Sequence, residues 1–86
     1  MPHISRFLGI VIWMYYNDHN PPHFHAEYGE FEALVKIDDL SILAGSLPPR
    51  VSGLVTEWAL KHKKELFENW ERGRRNESLL QIEPLQ

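Results

Sequence analysis

The stretch HFHAEYGEFEALVKID, residues 23–38, decides the architecture. Its first six residues alternate, with His23, His25 and Glu27 on one side and Phe24, Ala26 and Tyr28 on the other, which is the period of a β-strand. Gly29 and Glu30 read as a tight turn. The return leg puts Phe31, Ala33, Val35 and Ile37 on one side, so the stretch as a whole predicts an antiparallel hairpin.

Upstream, ISRFLGIVIWMYY, residues 4–16, is rich in β-branched and aromatic side chains. It reads as one strand or two short ones, with Gly9 as a bulge or bend. Its later part is apolar at both parities, Ile10, Ile12, Met14 and Tyr16 against Val11, Trp13 and Tyr15, which predicts a central strand covered on both faces. NDHNPP, residues 17–22, then breaks the ladder, because neither proline can donate a backbone hydrogen bond.

Downstream, SILAGSL is a candidate fourth strand, and LPPR, residues 47–50, opens a helix with Ser46 or Leu47 as its cap. Val51, Val55, Trp58, Ala59, Leu66 and Trp70 fall on one apolar stripe, the pattern runs to about Arg72, and Gly73 is the expected stop. Leu79, Leu80 and Ile82 suggest that the tail packs as an extended arm. The expected fold is therefore α+β: an antiparallel three- to four-stranded β-meander followed by one long C-terminal helix packed on the sheet, in a single domain of residues 1–86.

The totals narrow the function. Without cysteine there is neither a disulfide framework nor a thiolate metal site, so any metal must be held by imidazole and carboxylate. No signal-peptide pattern opens the chain, and its longest apolar run is about half of what a membrane span needs, so a soluble cytoplasmic protein with no membrane association is expected. The net charge of −3 conceals an asymmetry, since residues 1–46 hold two bases against six acids and residues 50–75 seven bases against four acids. A globally acidic chain is a poor non-specific nucleic-acid binder, which leaves RNA a weakly supported partner.

Three of the five histidines, His19, His23 and His25, lie within seven positions. His23 and His25 project from one side of a strand about 6.6 Å apart at the backbone, a spacing from which two rings converge on one ion. His19, or Asp18, folding back across Pro21–Pro22 would be a third ligand, with Glu27 as a further ligand or an orienting carboxylate. That set suits a divalent transition metal such as zinc. The same His19, His23 and His25 also suit metal-free acid–base catalysis, because histidine titrates near neutral pH. In a ribonuclease of that kind Tyr28 would assist, and Arg6 or Arg50 would meet the phosphate. The third reading is a structural or partner-binding loop, and the residues leave all three open.

His62 falls within the helical stripe near Trp58 and Leu66, where a core-edge histidine bonded to the sheet is expected. Leu60 and Phe67 share the opposite side among Lys63, Lys64 and Glu71. With Trp13 on the two-sided strand, they mark a candidate surface for a second copy of the chain or a small protein partner.

The residues ISRFLGIVIWMYYNDHNPPHFHAEYGE, LPPR, EW at 57–58 and ENW at 68–70 resemble a family of small bacterial and archaeal proteins of unknown function marked by an N-D-H-x-P-P-H-F-H segment. The resemblance covers nearly the whole chain. It implies a compact stand-alone domain, often encoded beside a second small uncharacterised protein in a toxin–antitoxin-like pair. It supplies no catalytic residues. On this basis the chain is expected to act in a protein complex, with a histidine-based ribonuclease toxin and a metal-binding domain as the alternatives.

Overall fold

The computed structural model describes residues 3–86. Five antiparallel strands form one meander, β1 (His3–Phe7), β2 (Ile10–Trp13), β3 (His23–Tyr28), β4 (Phe31–Lys36) and β5 (Ile42–Ser46), each paired with its neighbours in chain order. Two helices follow, α1 (Pro49–Lys61) and α2 (Lys63–Arg74), and then an extended arm. The α+β meander is as the sequence predicts, but five strands replace three or four, and two helices replace one.

Both differences have local causes. Residues 4–16 are two strands because Leu8 and Gly9 turn the chain, at φ 51° and 80°. Two-residue hairpin turns of this hand favour Asn-Gly or Asp-Gly, and leucine at positive φ gives no such signal. The helical run breaks at His62, which leaves helical geometry at φ −130° and ψ 22° while its N–H bonds the Ala59 carbonyl at 3.0 Å. Ala59 and Leu66 are seven residues apart, so the apolar stripe stays in phase across the break and the periodicity cannot reveal it.

The ends of the helices also differ from expectation. Pro48 precedes α1 with no side-chain cap, in place of Ser46 or Leu47. Gly73 stays helical and buried, and the helix stops after Arg74, with Arg75 as its C-cap and Asn76 at φ 57° in the left-handed role assigned to the glycine.

The register shows how the sheet divides its faces. Ile12 pairs with Ala26 and Ala26 with Ala33, while Phe24 pairs with Val35. This side joins Ile10, Met14, Ile37, Val51, Val55, Trp58, Ala59, Leu66 and Trp70 in the core. Fully burying an Ile, Met or Phe of this kind is worth about 1.5–3 kcal/mol against leaving it exposed. The other side carries Val11, Trp13, His25, Glu27, Glu32 and Leu34. Here β2 is half-buried rather than covered by a second layer. Trp13 meets the His3 ring edge-on at 5.6 Å and donates its indole N–H to Glu27 Oε1 at 3.2 Å, so cross-strand neighbours account for its apolar parity.

The arm seals one edge of the sheet. Ile82 N–H donates to the Ile4 carbonyl at 2.7 Å, Gln81 Nε2 to the His3 carbonyl at 2.8 Å, and Trp58 Nε1 to the Glu83 carbonyl at 2.8 Å. Buried Asn69 holds Leu80 through both its N–H and its carbonyl, at 2.8 Å each. Strand β5, at the other edge, is exposed along its whole length. Among the described residues no helix is long and apolar enough to cross a membrane.

Candidate functional site

The β2–β3 connection is tied to the end of α2. Asn17, at φ 54°, donates its backbone N–H to the Gly73 carbonyl at 3.4 Å and its side-chain amide to Asn76 Oδ1 at 3.0 Å. Asparagine tolerates that left-handed conformation better than most residues. Arg74 Nη1 donates to Asn20 Oδ1 at 3.3 Å. Held at these points, the connection places Asp18 over the start of β3.

Asp18 divides its two oxygens. Oδ1 accepts the backbone N–H of His19 at 2.8 Å, whereas Oδ2 lies 3.0 Å from His23 Nε2 and 3.5 Å from His25 Nε2. Burial works to raise the Asp18 carboxyl. The His19 N–H, the His25 ring and, whenever the rings are protonated, their charges outweigh it, and the net shift is below the ordinary carboxylate value.

The two rings are held firmly. His23 and His25 are only 5% and 9% exposed. Tyr15 meets His25 edge-on at 4.5 Å, Trp70 of α2 meets His23 at 5.3 Å, and the two imidazoles lie 5.4 Å apart. His23 Nδ1 is 2.8 Å from the Pro21 carbonyl. A carbonyl only accepts, so Nδ1 carries the proton and the lone pair of a neutral ring sits on Nε2. That Nε2 is buried and has no hydrogen-bond partner, because Asp18 Oδ2 is near it but out of line. Leaving such a group unsatisfied costs about 1–3 kcal/mol. His25 presents Nε2 to Asp18 and Nδ1 to Glu32 Oε2 at 3.4 Å, which again is out of line for a hydrogen bond.

Asp18, His23 and His25 each offer one ligand atom, and these atoms lie within 4.8 Å of one another. Bonds of about 2.0–2.1 Å to a tetrahedral zinc space its ligands about 3.3 Å apart. The two contacts to Asp18, 3.0 and 3.5 Å, already have that spacing. The Pro21 carbonyl behind His23, and Glu32 behind His25, stand where orienting partners of metal-bound imidazoles stand.

Residues 9–71 match the family described as a domain of unknown function, DUF4160. The chain belongs to that family. Neither a curated protein nor a solved structure matches it.

The site of this family member overlaps the sequence-derived candidates without coinciding with them. His23 and His25 come together as expected. Of the two alternatives for the third member it is Asp18 that joins them and not the His19 ring, which is exposed and contributes only its backbone N–H. Glu27 is taken up by Trp13, and the carboxylate beside His25 is Glu32 from the paired strand. Glu32 was legible in principle, since the alternation of FEALVKID puts Glu32 and Leu34 on the histidine side.

The groups proposed to assist a ribonuclease lie elsewhere. Tyr28 is at the far end of β3, about 16 Å from His23 along the strand. Arg50 lines a groove with Leu8, Tyr28 and Val51, and Arg6 lines another with His3 and the C-terminal arm. His62 bonds Glu65 Oε1 through Nδ1 at 2.6 Å and packs on Trp58 at 5.5 Å, away from the cluster. Leu60 and Phe67 are exposed, at 62% and 36%, whereas Trp13 is half-buried and its N–H is satisfied.

Proposed function

We propose that this chain is a metal-binding domain whose ion, a divalent transition metal such as zinc, is held by Asp18 Oδ2, His23 Nε2 and His25 Nε2. The observation that carries this reading is the buried His23 Nε2, left unpartnered while the Pro21 carbonyl fixes its lone pair toward the cluster. Two imidazoles and a carboxylate suit zinc, nickel, cobalt or iron(II). Three protein ligands leave a position open, as in catalytic rather than structural sites, and an ion there polarises a bound oxygen or acidifies a bound water. Elemental analysis of the untagged protein, with titration of the stripped form by zinc and cobalt(II), tests the reading. About one ion per chain is expected, lost in His23→Ala and retained in His19→Ala. A stripped protein that takes up neither ion sinks it.

A second reading, that the chain works as one member of a two-protein, toxin–antitoxin-like assembly, is supported by β5. This edge strand is exposed throughout and uncharged, and it carries Ile42 and Leu43 at 44% exposure each. Uncharged, exposed edges pair readily with a further strand. Leu43→Lys is expected to abolish association in light scattering or co-purification with the product of the adjacent gene. Unchanged association removes the support.

A further inference from the structure

The last turn of α2 and its C-cap carry three arginines with different fates. Arg72 pairs with Glu68 at 3.4 Å, and Arg75 makes a two-pronged contact with Glu77 at 2.9 and 3.2 Å. Arg74 turns instead toward the β2–β3 connection, where its partner is the neutral Asn20 side chain at 3.3 Å. Among the described residues no carboxylate pairs with it. The result is an exposed guanidinium with no carboxylate paired to it, positioned by an amide in a depression that one of the three ligands, Asp18, also lines.

Arg74, Asn17, His19, Asn20 and Asp18 line one open depression. Among the described residues its only acid is Asp18, whose Oδ1 is occupied by the His19 N–H and whose Oδ2 faces the two buried rings. Arg74 spends one N–H on Asn20 and keeps four more donors in a planar fork. Such a fork matches the paired oxygens of a phosphate or carboxylate. The charge of Asp18 opposes an anion as long as the cluster is empty, and a divalent cation reverses the local sign.

We infer that this depression is an oxyanion site, in which Arg74 and the ion held by Asp18, His23 and His25 together receive a phosphate or carboxylate group. This rests on the metal reading above and adds the substrate class: a small molecule or chain end that presents such a group. The two halves of the site are coupled, because the ion supplies the charge that makes the anion acceptable.

Cobalt(II)-loaded protein provides the test, because its visible spectrum reports the open coordination position. Titration with inorganic phosphate, and separately with acetate, is expected to change the spectrum saturably for at least one of the two. The one that acts identifies the group. Arg74→Ala is expected to weaken that titration about tenfold or more, the loss of a charge-assisted contact, with cobalt stoichiometry unchanged and Arg74→Lys intermediate. Stripped protein is expected to show no phosphate or acetate binding by calorimetry. If cobalt loads but neither anion alters the spectrum, or Arg74→Ala titrates like the wild type, the oxyanion site is overturned and the metal reading stands. If cobalt does not load, the metal reading fails and takes the inference with it.

Discussion

The corner at residues 17–25 and the helix junction at residues 58–65 each set histidine against carboxylate, and the tighter contact is at the junction. His62 Nδ1 lies 2.6 Å from Glu65 Oε1, closer than either ring of the corner comes to Asp18. Yet the junction contact stops there. It joins one ring to one half-exposed acid three residues away on the same helical turn. The corner collects its groups from the β2–β3 connection, β3 and β4, buries two rings, and leaves a lone pair with nowhere to go. What distinguishes a candidate site from a local ion pair is convergence from separate segments onto an unsatisfied point, not the shortness of any one contact.

Replacing groups on each side tests that contrast. His23→Ala has the largest expected effect: ion uptake disappears in elemental analysis, while His62→Ala leaves it intact. Asp18→Asn keeps the shape of the corner but removes its charge, and its affinity loss in a zinc titration is expected to exceed the ~10–100-fold that losing an orienting partner causes. Glu32→Gln changes only such a partner, and a half-exposed one, so a loss of about tenfold is expected. If Glu32→Gln proves the more damaging of the two, the ligand assignment is inverted.

The junction answers with a small change in stability. His62→Ala removes a partly exposed ion pair and a ring contact with Trp58, for which thermal or urea unfolding should show a loss of no more than about 1 kcal/mol. A larger loss would mean that the helix break itself depends on this side chain. The smallest effect is expected at a turn belonging to neither region. The Ser41 hydroxyl and N–H donate to Asp39 Oδ1, at 2.7 and 3.0 Å, and hold its carboxyl below the ordinary value. The stability this adds is complete above the ordinary carboxylate pKa and fades as pH falls through the lowered one. Asp39→Asn should therefore flatten the acid limb of melting temperature against pH slightly, and an unchanged limb would count against the turn's contribution.

The hairpin of residues 23–38 was legible because period-two alternation and a glycine turn are local signals, and His23 with His25 on one side follows directly from them. The strand break at Leu8–Gly9 was legible only as an alternative: Gly9 marks a bend between two short strands, but leucine at positive φ is locally disfavoured and is held there by the pairing of β1 with β2. The helix break at His62 left the apolar stripe in phase, so no periodicity could show it. In the site, the sequence leaves His19 and Asp18 as alternative third members, because either can fold back across Pro21–Pro22. The structure selects Asp18, since the anchoring of Asn17 and Asn20 to the end of α2 determines which side chain turns inward.

Taken by itself, the sequence determines an antiparallel sheet with an apolar helical segment against it, the absence of thiolate chemistry, and two histidines sharing one side of a strand. Those follow from residue type and short-range period, which act within a few residues. Only the tertiary structure decides that Asp18 and Glu32 flank the rings, that Trp70 and Tyr15 lock them in place, and that Arg74 alone of its neighbours bonds the β2–β3 connection. These depend on contacts between segments as far as 59 residues apart in the chain, where burial and hydrogen-bond satisfaction, not local propensity, select the partner.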